Sequence, residues 1–288
     1  MNRYSGTGFK PDMENMVFRT CQEHGAHCSL EYTQRPGHAT ELATDAIAAG
    51  YTKIVAVGGD GTVNEVGRAM IHASAAMGIL PKGSGNGLAR HLGIPLNLAE
   101  ALKCLFTNRM LPIDTFRVNG LLSLNVSGIG FDGYIAELFG KEARRGLQGY
   151  TKLVLNEFAR FQEFEAEVII GDQHLNRKAF VIAIANSSQY GNNARIAPGA
   201  SVCDEILDIS ILKKFPPYRI DFLYSFFSGT IDQSAYCETL RIMDAALIRL
   251  QEPMAFHIDG EPAGKADSLK IELSPASLNM LAPCEGKY

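Results

Sequence analysis

The sequence predicts an α/β fold in two domains. An N-terminal α/β domain is expected over residues 1–113 and a second, β-rich, sandwich-like domain over 114–274, with the last stretch, about 275–288, packing back on the first. Three observations carry that prediction. The first third alternates short β-branched runs with helically spaced apolar residues, the pattern of a parallel sheet with helical crossovers. From about Ile113 onward strand-like runs dominate, punctuated by Gly, Asn, Asp and Pro as antiparallel pairing requires. Neither an internal repeat nor a low-complexity linker separates the halves.

Taken in order, Ile54-Val55-Ala56-Val57 is a buried strand that Gly58-Gly59 stops, and Val63, Val66, Met70 and Ile71 then recur at helical spacing. Gly78-Ile79-Leu80-Pro81 is a second strand running into a glycine loop, with a helix expected from about Asn86. Asn97 is an N-cap for a helix over 97–108, whose Leu98, Ala101 and Leu105 make the apolar face. Beyond Ile113 the strand-like runs are 121–126, 165–170, 179–184, 206–212, 246–250, 254–258 and 270–273. Helical segments interrupt them at roughly 134–161 and 218–227.

Composition narrows the function. Apolar residues are 46% of the 288 and charged residues 20%, as in ordinary globular proteins. Lys and Arg number 27 against 31 Asp and Glu, a formal charge of -4, which argues against a general nucleic-acid binder. No apolar run approaches the ~18 residues of a membrane-spanning helix. MNRYSGTGFK has no hydrophobic stretch of a secretory signal. Six scattered cysteines without a CxxC pair read as reduced cytosolic thiols rather than a disulfide frame or zinc site.

The chemistry is concentrated in two glycine loops. In Gly58-Gly59-Asp60-Gly61-Thr62-Val63-Asn64-Glu65 the glycines let backbone amides approach an anion, and the following helix offers its positive end. Asp60, expected as an exposed loop carboxylate of little packing value, would repel phosphate unless a divalent cation lay between them. The loop therefore points to phosphate together with Mg²⁺. Pro81–Gly87 repeats the arrangement, and two such loops on successive strands point to a nucleotide site at the carboxyl edge of the sheet.

GGDGTVNEV and ILPKGSGNGLARHLGIP resemble the diacylglycerol kinase catalytic family, which includes bacterial lipid kinases and sphingosine kinases. The likeness spans nearly the whole chain. Asn2–Gly8 is similar to the family's first phosphate loop, and Thr33 and Gly37-His38-Ala39 to its Thr and GHA elements. NVSGIGFDG over 125–133, Tyr190-Gly191 and Ala197-Pro198 continue the series. Asp204-Glu205-Ile206-Leu207-Asp208 resembles an Asp-Gly-x-Leu-Asp segment, and Asp259-Gly260-Glu261 the late Asp-Gly-Glu motif. By itself that last tripeptide is also a good hairpin turn.

The resemblance implies an enzyme that uses ATP and Mg²⁺ to phosphorylate a lipid hydroxyl, cytoplasmic and peripheral to the inner membrane surface. By position, Asn2, Ser5, Gly6, Thr33, Gly59, Asp60, Gly61, Thr62, Asn64, Glu65 and Ser84 would surround ATP. Glu261 would be the general base, with Asp60 supporting metal or phosphate; Asp60 is the alternative base. Ser201, Asp204 and Ile206 resemble a structural Mg²⁺ site. The oligomeric state stays open, a homodimer being one option. An NAD-kinase-like enzyme shares the GGDGT loop, although PKGSGNGLARHLGIP fits the lipid branch better. A catalytically silent lipid- or nucleotide-binding regulator is a further alternative, against which retention of Asp60 and Glu261 weighs.

Three departures stand out. Arg3 replaces a usual Pro, which frees φ and adds a phosphate-pairing cation. Glu205 replaces a usual Gly. No strand precedes Asn2 where the family pattern has one, and ATP affinity is expected to suffer for it. Outside the motifs, His38 reads as a helix cap and His257 as a packed strand residue. Lys141, Arg144, Arg145 and Lys152 read as a solvated helix face, with contact to anionic headgroups the alternative, and the aromatics of 215–227 as core, with the border of an acyl-chain entrance the alternative.

Overall fold

The structure is a computed structural model that describes residues 1–3, 12–141, 147–216 and 218–283. The chain divides into two compact units, one built from Met1–Ile113 and the end of the chain from Ala276, the other from Asp114–Pro275. The first unit holds α1 (Asp12–Glu23), α2 (His38–Ala48), β1 (Lys53–Gly58), α3 (Asp60–Met70), β2 (Ala76–Pro81), α4 (Gly87–His91) and α5 (Leu98–Thr107). β3 (Arg109–Val118) leads into the second unit. There follow β4 (Leu121–Ser123), β5 (Val126–Gly130), α6 (Phe131–Lys141), α7 (Leu147–Phe158), β6 (Phe164–Ile170), β7 (Gln173–Ala179) and β8 (Val181–Ala185). β9 (Gln189–Gly191), β10 (Ala194–Arg195), β11 (Leu207–Leu212), α8 (Ile220–Ser228), a 3₁₀ turn (Ile231–Gln233), β12 (Cys237–Ile242) and β13 (Ala245–Ile258) complete it. β14 (Glu261–Ala282) begins in the second unit and ends in the first.

In the first unit β1 and β2 pair in parallel, Lys53 with Ala76 through Gly58 with Pro81, and Met280 of β14 pairs in parallel with Met77 of β2. α3 is the crossover between β1 and β2 and buries Val63, Val66 and Met70. α5 starts where the Asn97 side chain accepts the N–H groups of Ala99 and Glu100, at 2.9 and 3.3 Å, replacing intrahelical partners those groups lack. Residues 1–3 are held on two sides: Asn2 N–H donates to the Val57 carbonyl at 2.9 Å, and Thr33 N–H to the Met1 carbonyl at 3.0 Å.

The second unit is antiparallel, with strands in the order β14, β13, β5, β8, β11, β12, and with β6 and β7 added beside β13. Two of its hairpins are two-residue turns in which both residues are left-handed. Asn119-Gly120 (φ 50° and 80°) joins β3 to β4, and Asp259-Gly260 (φ 49° and 87°) joins β13 to β14. That is the geometry whose twist matches paired strands, and Asn-Gly and Asp-Gly are the dipeptides that adopt it at least cost. Phe116, Ile129, Ile184, Ile209, Ile248 and Ile271 lie in one core cluster, while Phe131, Phe180, Phe215 and Phe222 lie in another.

Several sequence expectations are corrected. The helix expected over 134–161 is two helices, α6 and α7; residues 142–146, with Arg144 and Arg145, lie outside the described residues. The runs 246–250 and 254–258 belong to one strand, β13, whose register shifts between Arg249 and Met254. Pro253 falls inside that irregularity, where a missing N–H breaks no regular ladder. Among the aromatics of 215–227, Phe215 and Phe222 are core, but Tyr218, Tyr224 and Phe227 are exposed.

Candidate active site

β1 ends in the first glycine loop and hands the chain to α3 at Asp60. The Asp60 carboxylate is no free-standing loop group. Its Oδ1 accepts the Gly87 N–H at 2.8 Å and its Oδ2 the Asn86 N–H at 2.9 Å, so the carboxylate of one glycine loop clasps the other. Asn86 is itself left-handed (φ 52°), and its side chain closes the second loop by accepting from Gly83 N–H and donating to the Gly83 carbonyl, both at 2.8 Å. A Cβ on Gly83 would stand 2.6 Å from the Gly59 Cα, so the loops meet backbone to backbone and only glycine fits.

Around this clasp, Asn2 Nδ2 donates to Thr62 Oγ1 at 3.1 Å, and Lys82 N–H donates to the Gly58 carbonyl at 2.8 Å. The Lys82 ammonium lies 3.4 Å from the carbonyls of both Asn2 and Arg3, and burial lowers its pKa from the usual lysine value. The sequence shows Lys82 inside its loop but gives no sign that its charge folds toward residues 2–3. Ser84 is exposed at the second loop's tip. Ser5 and Gly6 lie outside the described residues.

Two of the residues expected near ATP have other partners. Asn64 is buried, and its Oδ1 accepts from Arg68 Nε at 2.8 Å, one turn along α3. Glu65 accepts the N–H groups of Gly37 and Ala39 at 2.9 and 3.2 Å, and its carbonyl accepts the Thr40 hydroxyl at 2.7 Å. A carboxylate thus caps the positive end of α2, which is what Gly37-His38-Ala39 supplies to the fold. His38 Nδ1 accepts from Gln34 N–H at 3.1 Å, a local turn contact. The Arg3 guanidinium sits 3.7 Å from the centre of the Tyr32 ring and 3.7 Å from Glu14, whose carboxylate also accepts the Tyr32 hydroxyl.

The second unit gathers three further motifs. Asp259 is buried at the turn, and its carboxylate accepts from the Ser123 hydroxyl at 2.6 Å, Leu124 N–H at 3.0 Å and Asn125 N–H at 3.0 Å. Glu261 follows, exposed, as the first residue of β14. His257 is only 2% exposed, and is more than packed: Nδ1 accepts from Gly260 N–H at 3.1 Å and Nε2 lies 3.1 Å from Asp132 Oδ2. Tyr190 donates to that same oxygen at 2.9 Å, and Gly133 N–H to Asp132 Oδ1 at 2.7 Å. A Cβ on Gly128 would stand 2.1 Å from Asp132 Oδ2, so the glycine of NVSGIGFDG makes room for this carboxylate. Asp132 lies within NVSGIGFDG, and nothing in its local sequence shows that its partner is His257, 125 residues on.

In the 201–208 turn, Glu205 has φ 60°, the conformation its usual glycine would adopt, and its N–H donates to Asp114 Oδ2 at 2.8 Å. The turn therefore survives the substitution at the cost of a strained non-glycine residue. Asp204 Oδ1 accepts Ile206 N–H at 3.2 Å; burial, and after it the Asp114 carboxylate, raises the Asp204 pKa. Ser201, Asp204 and the Ile206 carbonyl are hard oxygen donors of the type Mg²⁺ takes. Among the described residues no cluster of three or more His, Cys, Asp or Glu side chains forms a metal cage, so a cation here would depend on backbone carbonyl and water ligands beside the Asp204 carboxylate.

The sequence profile of the diacylglycerol kinase catalytic domain matches residues 1–118, and that of the YegS C-terminal NAD kinase beta sandwich-like domain matches residues 125–282. A protein of Pseudomonas aeruginosa named "Probable lipid kinase YegS-like" is 30% identical over 266 residues, 91% of this chain and 87% of that protein. The chain belongs to the YegS-like lipid kinase family. As a member it is a kinase with an α/β catalytic domain and a β-sandwich-like second domain. A solved diacylglycerol kinase structure from Bacillus anthracis superposes with a TM-score of 0.76 at 20% identity, covering 99% of this chain and 96% of that one. An NAD kinase from Archaeoglobus fulgidus solved with ATP is more distant, with a TM-score of 0.54 at 12% identity over 96% and 92% of the two chains. Both are likenesses of fold.

Proposed function

We propose that this YegS-like kinase transfers the γ-phosphoryl group of Mg·ATP to a hydroxyl of a membrane lipid, the candidates being diacylglycerol, a sphingoid base, ceramide and phosphatidylglycerol. The observation that carries this reading is the clasp: two glycine loops at the carboxyl ends of adjacent parallel strands, held together by Asp60. Phosphoryl transfer needs chiefly positioning and neutralisation of spreading negative charge. Loop amides, with Asn2, Ser5, Gly6, Thr33, Gly59, Gly61, Thr62 and Ser84, receive the nucleotide, and Lys82 adds positive charge beside them. Asn64 and Glu65 serve that site at one remove, by fixing Arg68 and the start of α2.

Mg²⁺ when bound would neutralise phosphate charge; Asp60 would support metal or phosphate, and Ser201, Asp204 and Ile206 would hold a structural Mg²⁺. Glu261 takes the proton of the acceptor hydroxyl, a role worth about 10²–10⁴-fold. Contact with the inner membrane surface is peripheral; among the described residues no helix is long and apolar enough to cross a bilayer. The test is Mg·ATP turnover on vesicles of extracted lipids, with mass analysis of the product. Lipid phosphorylation that rises with surface lipid fraction is expected. Efficient phosphorylation of NAD in buffer without any interface would decide for the NAD-kinase reading instead.

A further inference from the structure

His257 stands between two carboxyl-bearing motifs, and its bonds fix its protonation state. Asp132 Oδ2 already accepts the Tyr190 hydroxyl, and Gly260 N–H can only donate. The hydrogen-bond network therefore assigns the neutral ring with its proton on Nε2, donating to Asp132 and accepting from Gly260. In a two-residue hairpin of this type the N–H of the second turn residue usually points at solvent; here the histidine captures it. The Asp259-Gly260 turn is thus anchored twice, through Asp259 to residues 123–125 and through Gly260 to His257. Glu261 leaves the turn directly after the second anchor.

We propose that His257, oriented by Asp132 and Tyr190, is a positioning residue for Glu261, and that its neutral form is the one that holds the turn in its working shape. The proposal rests on the reading of Glu261 as general base. Protonation of Nδ1 sets a donor against the Gly260 N–H, so the second anchor is lost. Among the described residues, the titratable groups facing the ring are Asp132 on α6 and Tyr190 on β9; Gly128 of β5 and Pro262 of β14 face it across the ladders. Asp259, two residues along, turns its carboxylate to Ser123, Leu124 and Asn125.

The two anchors of the ring separate cleanly by substitution. In His257→Gln the side-chain amide reaches Asp132 and leaves Gly260 without its acceptor. In His257→Asn the amide oxygen stands where Nδ1 stood and keeps that acceptor. We expect kcat to fall about tenfold in His257→Gln, equivalent to ~1.4 kcal/mol of barrier, with the KM for ATP unchanged, and most of that loss to be recovered in His257→Asn. Equal losses in both variants that simply follow Tm would overturn the proposal. Glu261→Gln is run beside them. Full turnover in that variant overturns the base assignment on which the proposal stands, whereas a dead Glu261→Gln with indistinguishable His257 variants overturns the positioning role alone.

Discussion

At Asp60 one carboxylate has structural and chemical duties, and substitution separates them. Asp60→Asn keeps one acceptor oxygen but turns an amide N–H₂ toward either Asn86 N–H or Gly87 N–H, so one of the two loop bonds becomes donor against donor. Leaving a half-buried donor unmet costs about 1–3 kcal/mol. We therefore expect Asp60→Asn to lower Tm in the absence of nucleotide as well as to abolish turnover. An unchanged Tm would return Asp60 to a purely chemical role. Asp208 gives the opposite case. It is buried, and that burial raises its pKa, the Arg241 guanidinium 3.3 Å away opposing but not cancelling the shift. A carboxyl with a raised folded-state pKa holds its proton more tightly when folded. Its favourable contribution is full below the unfolded value and is lost as pH rises through the folded one. At neutral pH the ionised group is a burden. Asp208→Asn should raise Tm at pH 7, and the gain should shrink toward zero in acid. A variant less stable than wild type at pH 7 would mean that the ion pair outweighs the burial.

At the scale of elements, what the sequence shows is what is local. Asn97 and the start of α5 lie within three residues of each other, and the runs that become β1 and β2 end at their own glycines, so both are visible without the fold. Glu65 is different. Its partners Gly37 and Ala39 lie 28 and 26 residues upstream, and no spacing rule links a carboxylate on one helix to the first amides of another. The resemblance implies a place for Glu65 beside the nucleotide; in the fold its carboxylate, carried by α3, accepts the first amides of α2. The same holds for Asp60 with Asn86, and for His257 with Asp132, a pair separated by 125 residues. The long strand β13 reads as two in the sequence because Gln251-Glu252-Pro253 interrupts its apolar pattern, and a register shift is invisible in one strand alone. The cap carries a prediction. Glu65→Ala removes two acceptors from the N-terminus of α2, a loss of about 0.5–2 kcal/mol by analogy with other caps. Differential scanning should show a Tm decrease, with Glu65→Gln, which keeps one acceptor oxygen, intermediate. A Glu65→Ala protein that melts like wild type yet no longer binds ATP would reassign the residue to the nucleotide.

For the molecule as a whole the decisive feature is that the first unit is not continuous in sequence. Its sheet is completed by the end of β14, where Met280 pairs with Met77, His72 N–H donates to the Ser277 carbonyl at 2.7 Å, and Asn279 Nδ2 donates to the Ala73 carbonyl at 2.9 Å. Leu278, Met280 and Leu281 are all but fully buried there. At about 1.5–3 kcal/mol for each such side chain, the three together contribute about 5–9 kcal/mol, against the ~5–15 kcal/mol by which a typical domain is stable. A chain shortened to end at Pro275 keeps every residue of both glycine loops. Even so, it should lose the cooperative unfolding transition of the first unit and bind no ATP. Leu278→Ala in the full-length chain should do the same in small, costing about 2–5 kcal/mol by transfer and cavity terms and lowering Tm, while the vesicle assay at low temperature still detects turnover. ATP binding and a sharp melt in the shortened chain would show that β1, β2 and their helices suffice without the returning strand. The nucleotide loops would then owe their shape to the Asp60 clasp alone.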